Sequence, residues 1–426
     1  MPSTPIAIEQ ELGAVLPPDS IRAATSADAV CGLQPRLVLE PNNELELAAA
    51  LRLANDAGLA VIPRGGGTKL AWGNAPQRAD LILSTTRLNN IIEHAWADLT
   101  ASVEAGCTLQ TLQTALAQHG QRLAIDPLWP EAATIGGILA ANDSGTLRLR
   151  FGALRDLILG VTIALPDGTL ASSGGKVVKN VAGYDLPKLV TGALGTLAVI
   201  TRAVFRLHPL PHNFKTLSMT PGDLQTTQQL LANVQDSNLA HTSLQVRIAH
   251  DAPPIVDILF EGTEAGIAAQ ETHLRQIAGS APVQEAASSV WQSAQAQCAL
   301  SNSGASSDSA ALAKITALPA AIAATLEQVR RITASRGVRW QLTMQATGVG
   351  SLRLDGGPES LHACLSELRG ELQRADGSLV IHHRPAAMPP LDAWGQPSDA
   401  LALMHAIKAQ FDPKNTLNPG RFVAGI

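Results

Sequence analysis

Apolar positions along this chain recur at two spacings, helical and alternating, and the switches between them mark the elements. Residues 44–57 (ELELAAALRLANDA) carry the helical spacing and are followed by Gly58, where a helix C-cap belongs. Residues 59–62 read as a short strand ending at Pro63, and 81–84 as another short apolar run. Residues 100–104 alternate like a strand, and 108–119 read as a helix stopped by Gly120. Strands follow at 159–165 and 195–206, with a turn at Pro166, Asp167 and Gly168 between them. The alternation of strands and helices places the chain in the α+β or α/β class.

Past His208-Pro209-Leu210-Pro211 the texture changes: glycine thins out, and Ala, Gln and Ser rise. A domain boundary is expected at residues 208–215. Beyond it, 243–248 and 255–260 read as strands, 264–277 and 318–332 as helices, and 400–410 as a final helix. Residues 281–312 are Ala/Ser/Gln-rich with weak periodicity, which suggests a loop or lid. Residues 1–35 are mixed and are expected to pack at the surface.

Composition narrows the function. The 426 residues are 46% apolar with a net charge of −5, enough for sizeable cores and without any basic block. Nucleic acid and anionic membrane surfaces are therefore not expected partners. Four separate cysteines, with no C-x-x-C, support neither a zinc nor an iron–sulfur centre and suit a reduced, cytoplasmic compartment. The N-terminus has no basic start or long apolar core, so no secretory leader is expected. The longest apolar stretch, 186–204, is broken by Lys188 and Arg202, so it is not read as a membrane span.

The glycines carry the candidate chemistry. The first cluster, Arg64, Gly65, Gly66, Gly67, Thr68, Lys69, directly follows a strand. Glycines in succession lose much entropy on folding and make sense where the backbone takes positive φ or approaches a ligand closely. Successive free N–H groups there form an anion nest, with Arg64, Lys69 and the Thr68 hydroxyl adding charge and hydrogen bonds, so a pyrophosphate is indicated. A flexible turn is the plainer alternative. Neither the Walker pattern nor a Rossmann fingerprint fits, since Leu70 stands where the third Rossmann glycine would be.

The second cluster runs from Thr134 through Ile135, Gly136, Gly137, Ala140, Ala141 and Asn142 to Gly145. Its small residues can lie flat on a ligand or on another backbone, and Thr134 can cap a helix whose N–H groups face an anion. The third spans residues 174–186, with Lys176 and Lys179 as candidate phosphate or carboxylate partners, and is followed by glycines 192 and 195. Tyr184, the single tyrosine, is read as structural rather than ligand-facing. Taken jointly, the clusters describe loops around one elongated, phosphate-bearing ligand.

In order, PRGGGTK, TIGGILAANDSG, RFGALRDLILGVTIALPDGTL, KNVAGYDLPKLVTGALGTLAVIT and FDPKNTLNPGRF resemble the flavin domain of the vanillyl-alcohol oxidase (PCMH-type) family. KNVAGYDL and the short C-terminal region are most similar to its branch of FAD-binding subunits of bacterial glycolate oxidase (glycolate dehydrogenase). The resemblance implies an α+β fold: an N-terminal segment (1–35), a two-subdomain FAD-binding domain (36–210), a smaller α+β cap (211–400), and a C-terminal segment (401–426) returning to the flavin domain. It implies that FAD contacts Arg64 to Leu70, Pro127, Thr134 to Gly137, Ala140 to Asn142, Gly145, the backbone near Val199, and Asn418. Relatives that bind flavin covalently use His or Cys. Thr68 follows the glycines here, so non-covalent FAD is expected.

Catalytic D-2-hydroxy acid dehydrogenases of this superfamily share an H-x-x-G-D-G-N-x-H metal block. The comparable stretch here, GSLVIHHRP at 377–385, lacks it, so no metal site is expected. The base candidates are His382 and His383, with Arg384 for a substrate carboxylate. On a regular strand only one of the histidines would face the flavin. The resemblance further implies a second FAD-containing subunit and an iron–sulfur subunit as partners, with a small 2-hydroxy acid as substrate and only indirect contact with the cytoplasmic membrane's inner face. Two other readings stand beside it: a self-sufficient FAD-dependent D-2-hydroxy acid dehydrogenase, and a scaffold that holds FAD structurally.

Overall fold

The computed structural model describes residues 5–176, 183–299 and 309–426. The chain forms two compact units. The first comprises Met1–Gly145, Phe151–Leu210 and Gln396–Ile426; the second comprises Thr146–Arg150 and Pro211–Gly395.

Two sheets build the first unit. One has four strands in the order Ile21–Ala23, Leu37–Leu39, Leu81–Ser84, Val61–Arg64, with the last three parallel. The other has five antiparallel strands in the order Ile91–Ala95, Thr100–Glu104, Val199–Arg206, Ile158–Ala164, Leu170–Gly174. The helix Glu44–Asp56 forms because Asn43 caps it, accepting from the N–H groups of Leu45 and Glu46, and because Leu47, Ala50, Leu51 and Ala54 share one buried stripe. Gly58, at φ +69°, ends that turn. Each fully buried leucine in this stripe contributes about 1.5–3 kcal/mol. The N-terminal residues are more than a surface segment. The helix Pro5–Val15 brings Ile8 and Leu12 into the same core, with Leu16 just behind. Residues 195–198, read as the start of a strand, instead form the turn that leads into Val199–Arg206.

The second unit is one eight-stranded antiparallel sheet among the described residues. Helices Leu224–Gln235, Glu264–Ala278, Ile322–Ala334 and Pro358–Arg374 contribute Leu231, Leu274, Leu326 and Leu365 to its core, against Val246, Ile258, Leu342 and Leu352 of the strands. The stretch read as a loop contains a short strand, Val283–Glu285, and a helix, Ser293–Cys298; residues 300–308 lie outside the described part. No helix among the described residues is long and apolar enough to cross a membrane.

Candidate functional site

The strand Val61–Arg64 delivers the first glycine cluster to an edge of the four-stranded sheet. Ile62, fully buried, anchors it, and Arg64 O accepts from Thr85 N at 2.8 Å. The next five N–H groups, of Gly65, Gly66, Gly67, Thr68 and Lys69, have no hydrogen-bond acceptor among the described residues. A run of unpaired amides is costly unless water or a ligand satisfies it, and this one has the form of an anion nest.

Two adjoining pockets run past this loop. They share Pro63, Arg64, Gly65, Gly137, Ala140 and Leu194, so together they make one elongated groove. Its polar end is lined by Gly66, Gly67, Thr68, Lys69, Leu70, Thr134, Ala141 and Arg421. Its other end is lined by Val190, Ala198, Val199 and Ile200, with Gly136. A donor-rich end and an apolar end in one groove suit a diphosphate joined to flat ring systems, which is the chemistry of FAD.

The glycines earn their places differently from the sequence reading. Only Gly67 takes positive φ, +75°. A Cβ on Gly65 would collide with Thr134 Oγ1, and one on Gly66 with the Ala132 carbonyl. The first two glycines therefore let the loop lie against the 132–134 backbone. Gly136 packs the same way, with Ala105 Cβ 2.9 Å from where its Cβ would stand.

Thr134 does cap the helix Ile135–Ala141, accepting from Gly137 N at 3.4 Å. The first two amides of that helix are not offered to an anion, however. Ile135 N donates to Cys107 O and Gly136 N to Ala105 O, so those amides are already taken. Ile135 itself is a core residue at 1% exposure. Asn142 ends the helix at φ 47°, with a buried Oδ1 that has no partner. Asn142, Pro127, Gly145 and Asn418 are not among the groove's lining residues. Asn418 stands behind the lining, its Nδ2 donating to Leu194 O at 2.7 Å.

The cations are also placed differently. Lys69 Nζ lies 3.0 Å from Asp143 Oδ2 and is packed near the rings of Trp72 and Trp129. Its charge is therefore matched inside the protein. Lys176 pairs with Glu93, and Lys179 lies outside the described residues. Tyr184 is 90% exposed, which removes a structural role for its ring in packing. His382, His383 and Arg384 belong to the second unit. Strict alternation breaks where Ile381 pairs with Ala313 but His383 pairs with Leu312, making His382 the extra residue of a bulge. Arg384 is exposed and donates to Leu391 O at 3.2 Å. No metal-binding cluster occurs among the described residues.

Sequence reasoning missed the residues that hold the loops. Asp28 accepts from Arg22 and from Arg64, each at 2.8 Å, fixing the arginine that borders both cavities. The Arg22 hydrogen bond holds the Asp28 carboxyl far below the usual carboxylate range. A depressed carboxyl stabilises the fold fully above its ordinary value of 3.8 and loses that contribution as pH falls below it. Asp28→Asn should therefore lower the urea midpoint of the chain at neutral pH, and the gap to wild type should narrow once the pH passes below 3.8. Equal midpoints at neutral pH would refute this role.

The comparisons agree with this geometry. The FAD binding domain family matches residues 35–174, and the C-terminal domain of FAD linked oxidases matches 393–422. The glycolate oxidase subunit GlcD of Bacillus subtilis is 26% identical over 424 residues, covering 92% of this chain and 89% of that protein. A D-lactate dehydrogenase of Archaeoglobus fulgidus is 37% identical over 183 residues, covering 43% of this chain and 41% of that protein. The structure of p-cresol methylhydroxylase with substrate bound superposes with a TM-score of 0.76 at 15% identity, covering 98% of this chain and 96% of that one. Five unsatisfied amides beside a groove with an apolar end lie within a matched FAD binding domain and a PCMH-type fold, and FAD is the cofactor.

Proposed function

We propose that this chain is the FAD-binding subunit of a complex that oxidises glycolate or a similar small 2-hydroxy acid, passing electrons to a partner. The observation that carries the reading is the elongated groove with its run of free amides, in a chain similar to GlcD over nearly its whole length. FAD when bound supplies the two-electron acceptor. The N–H groups of residues 65–69 hold the diphosphate, and Arg64, fixed by Asp28, adds positive potential beside it. Val190, Leu194, Ala198 and Val199 enclose a ring system and exclude water from it. His382 or His383 takes the hydroxyl proton, and Arg384 meets the carboxylate. The partners are a second FAD-containing subunit and an iron–sulfur subunit, with the assembly in the cytoplasm at the inner face of the membrane.

The test is purification from native expression, followed by anaerobic mixing with glycolate. The expected result is a yellow protein with acid-extractable FAD, accompanied by iron–sulfur absorption, whose flavin band bleaches with glycolate. A preparation that holds FAD but is bleached by no 2-hydroxy acid would defeat the proposal. The likeness to a D-lactate dehydrogenase favours a second reading, a chain that is competent alone. Bleaching of the isolated chain by D-lactate, with turnover on an artificial dye, would select it.

A further inference from the structure

The last residues of the chain touch both walls of the groove, and they do so with cations that the cofactor reading leaves unused. Arg421 is 3% exposed. Its Nη2 donates to Leu70 O at 2.7 Å and Trp72 O at 2.8 Å, with Lys69 O at 3.5 Å. These carbonyls belong to the far end of the glycine loop. Lys408, 7% exposed, donates to Thr196 O at 2.8 Å and Leu417 O at 3.1 Å, and pairs with Asp412 at 2.7 Å. Asn418 holds Leu194 O on the same wall. Its own N–H donates to Val61 O at 3.0 Å, and Val61 N donates to Thr416 O at 2.8 Å, so this segment runs beside the strand that enters the loop.

The physical consequence concerns residues 65–69. They include three glycines and make no main-chain donation within the described protein, so their order rests on packing against residues 132–134, on the Lys69–Asp143 pair and on the contacts at the two ends. Thr85 fixes the entry of the loop at Arg64, and Arg421 fixes its exit at Leu70 and Trp72. A flexible loop held at both ends pays less to close on its ligand. Burying a guanidinium for this purpose is costly, and burial does lower its affinity for the proton.

We infer that Arg421 is a positioning residue for FAD: it pre-orders the diphosphate loop by holding its exit carbonyls, while Lys408 and Asn418 hold the opposite wall. The inference rests on FAD occupying this groove. It also implies that FAD is retained only after the C-terminal segment has docked, whatever the chain's activity.

The experiment titrates FAD into apo-chain and follows quenching of flavin fluorescence. Arg421→Gly should raise Kd by at least about ten-fold. Millimolar guanidinium, but not sodium at equal ionic strength, should restore binding by refilling the vacated site, which a general loss of stability would not allow. Arg421→Lys should lie between. If Arg421→Gly does not accumulate as folded protein, hydrogen exchange on apo Arg421→Lys carries the test. Exchange at Leu70 and Trp72, whose N–H groups donate to Gly67 O and Lys69 O, should quicken while that of the second unit stays as in wild type. A Kd within about two-fold of wild type for Arg421→Gly, or unchanged exchange at Leu70 and Trp72 in Arg421→Lys, overturns the inference and leaves FAD in the groove. A wild-type apo-chain that takes up no FAD overturns both the groove assignment and this inference.

Discussion

Gly66→Val should abolish FAD retention. The cause is not backbone handedness, because Gly66 is not among the glycines with positive φ. Its missing side chain leaves room for the Ala132 carbonyl, and any Cβ would overlap that atom. The obstacle is backbone, which cannot rotate away as a side chain would. Either the loop lifts off the 132–134 segment or the segment shifts, and in both cases the run of five free amides loses its shape. Overpacking of this kind costs about 1–3 kcal/mol. The rest of the first unit rests on separate cores and should keep its secondary structure. The flavin-to-protein ratio after desalting, with far-ultraviolet circular dichroism as the folding control, decides the matter. Unchanged flavin content would take the first glycine cluster out of the site. Gly67→Ala isolates the other requirement, because Gly67 is the member of the cluster at positive φ and its nearest neighbours are side-chain carbons at 3.9 Å. Its effect should be smaller, about 1 kcal/mol.

Lys69→Met should strongly destabilise the first unit. Lys69 and Asp143 are 9% and 7% exposed and lie 3.0 Å apart, and Asp143 also accepts from Leu128 N at 3.0 Å. Removing one member of a buried pair leaves the other charge desolvated and alone, at a cost of about 3–5 kcal/mol. The pair also joins the first glycine loop to the second, so flavin retention should fall along with stability. The double variant Lys69→Met with Asp143→Leu should recover most of the stability, since two apolar residues of similar volume need no counter-charge. Its flavin retention should recover less, because the tie between the loops stays broken. Urea unfolding of the two single variants and the double variant forms the cycle. A double variant no more stable than Lys69→Met would show that the pair is not coupled.

Periodicity and punctuation made much of this fold legible in the sequence. The strand Thr100–Glu104 lies where alternation placed it, Leu81–Ser84 coincides with the short apolar run, and the helix Glu44–Asp56 ends at the expected glycine. These elements form from local causes: an apolar stripe, a side-chain cap and a residue free to take positive φ. The glycine clusters were legible for a similar reason, because a missing side chain is a property of the residue itself. The clusters by themselves indicated an elongated phosphate-bearing ligand; FAD followed from the resemblance of the ordered blocks to a known flavin domain, which the matched FAD-binding domain supports.

The reason for each glycine was not legible, nor was the partner of each charge. Gly66 faces a carbonyl from a residue far along the chain, Lys69 finds Asp143 rather than a phosphate, and the helix at Ile135 spends its first amides on Cys107 and Ala105. Sequence alone thus determined many of the helices and strands and which loops are bare enough to approach a ligand, because those depend on neighbours a few residues away. Only the tertiary structure decided that Arg421 would hold a loop about 350 residues before it. Hydrogen bonds and ion pairs act over a few ångströms of space, and no local pattern records which distant residues folding will bring within that reach.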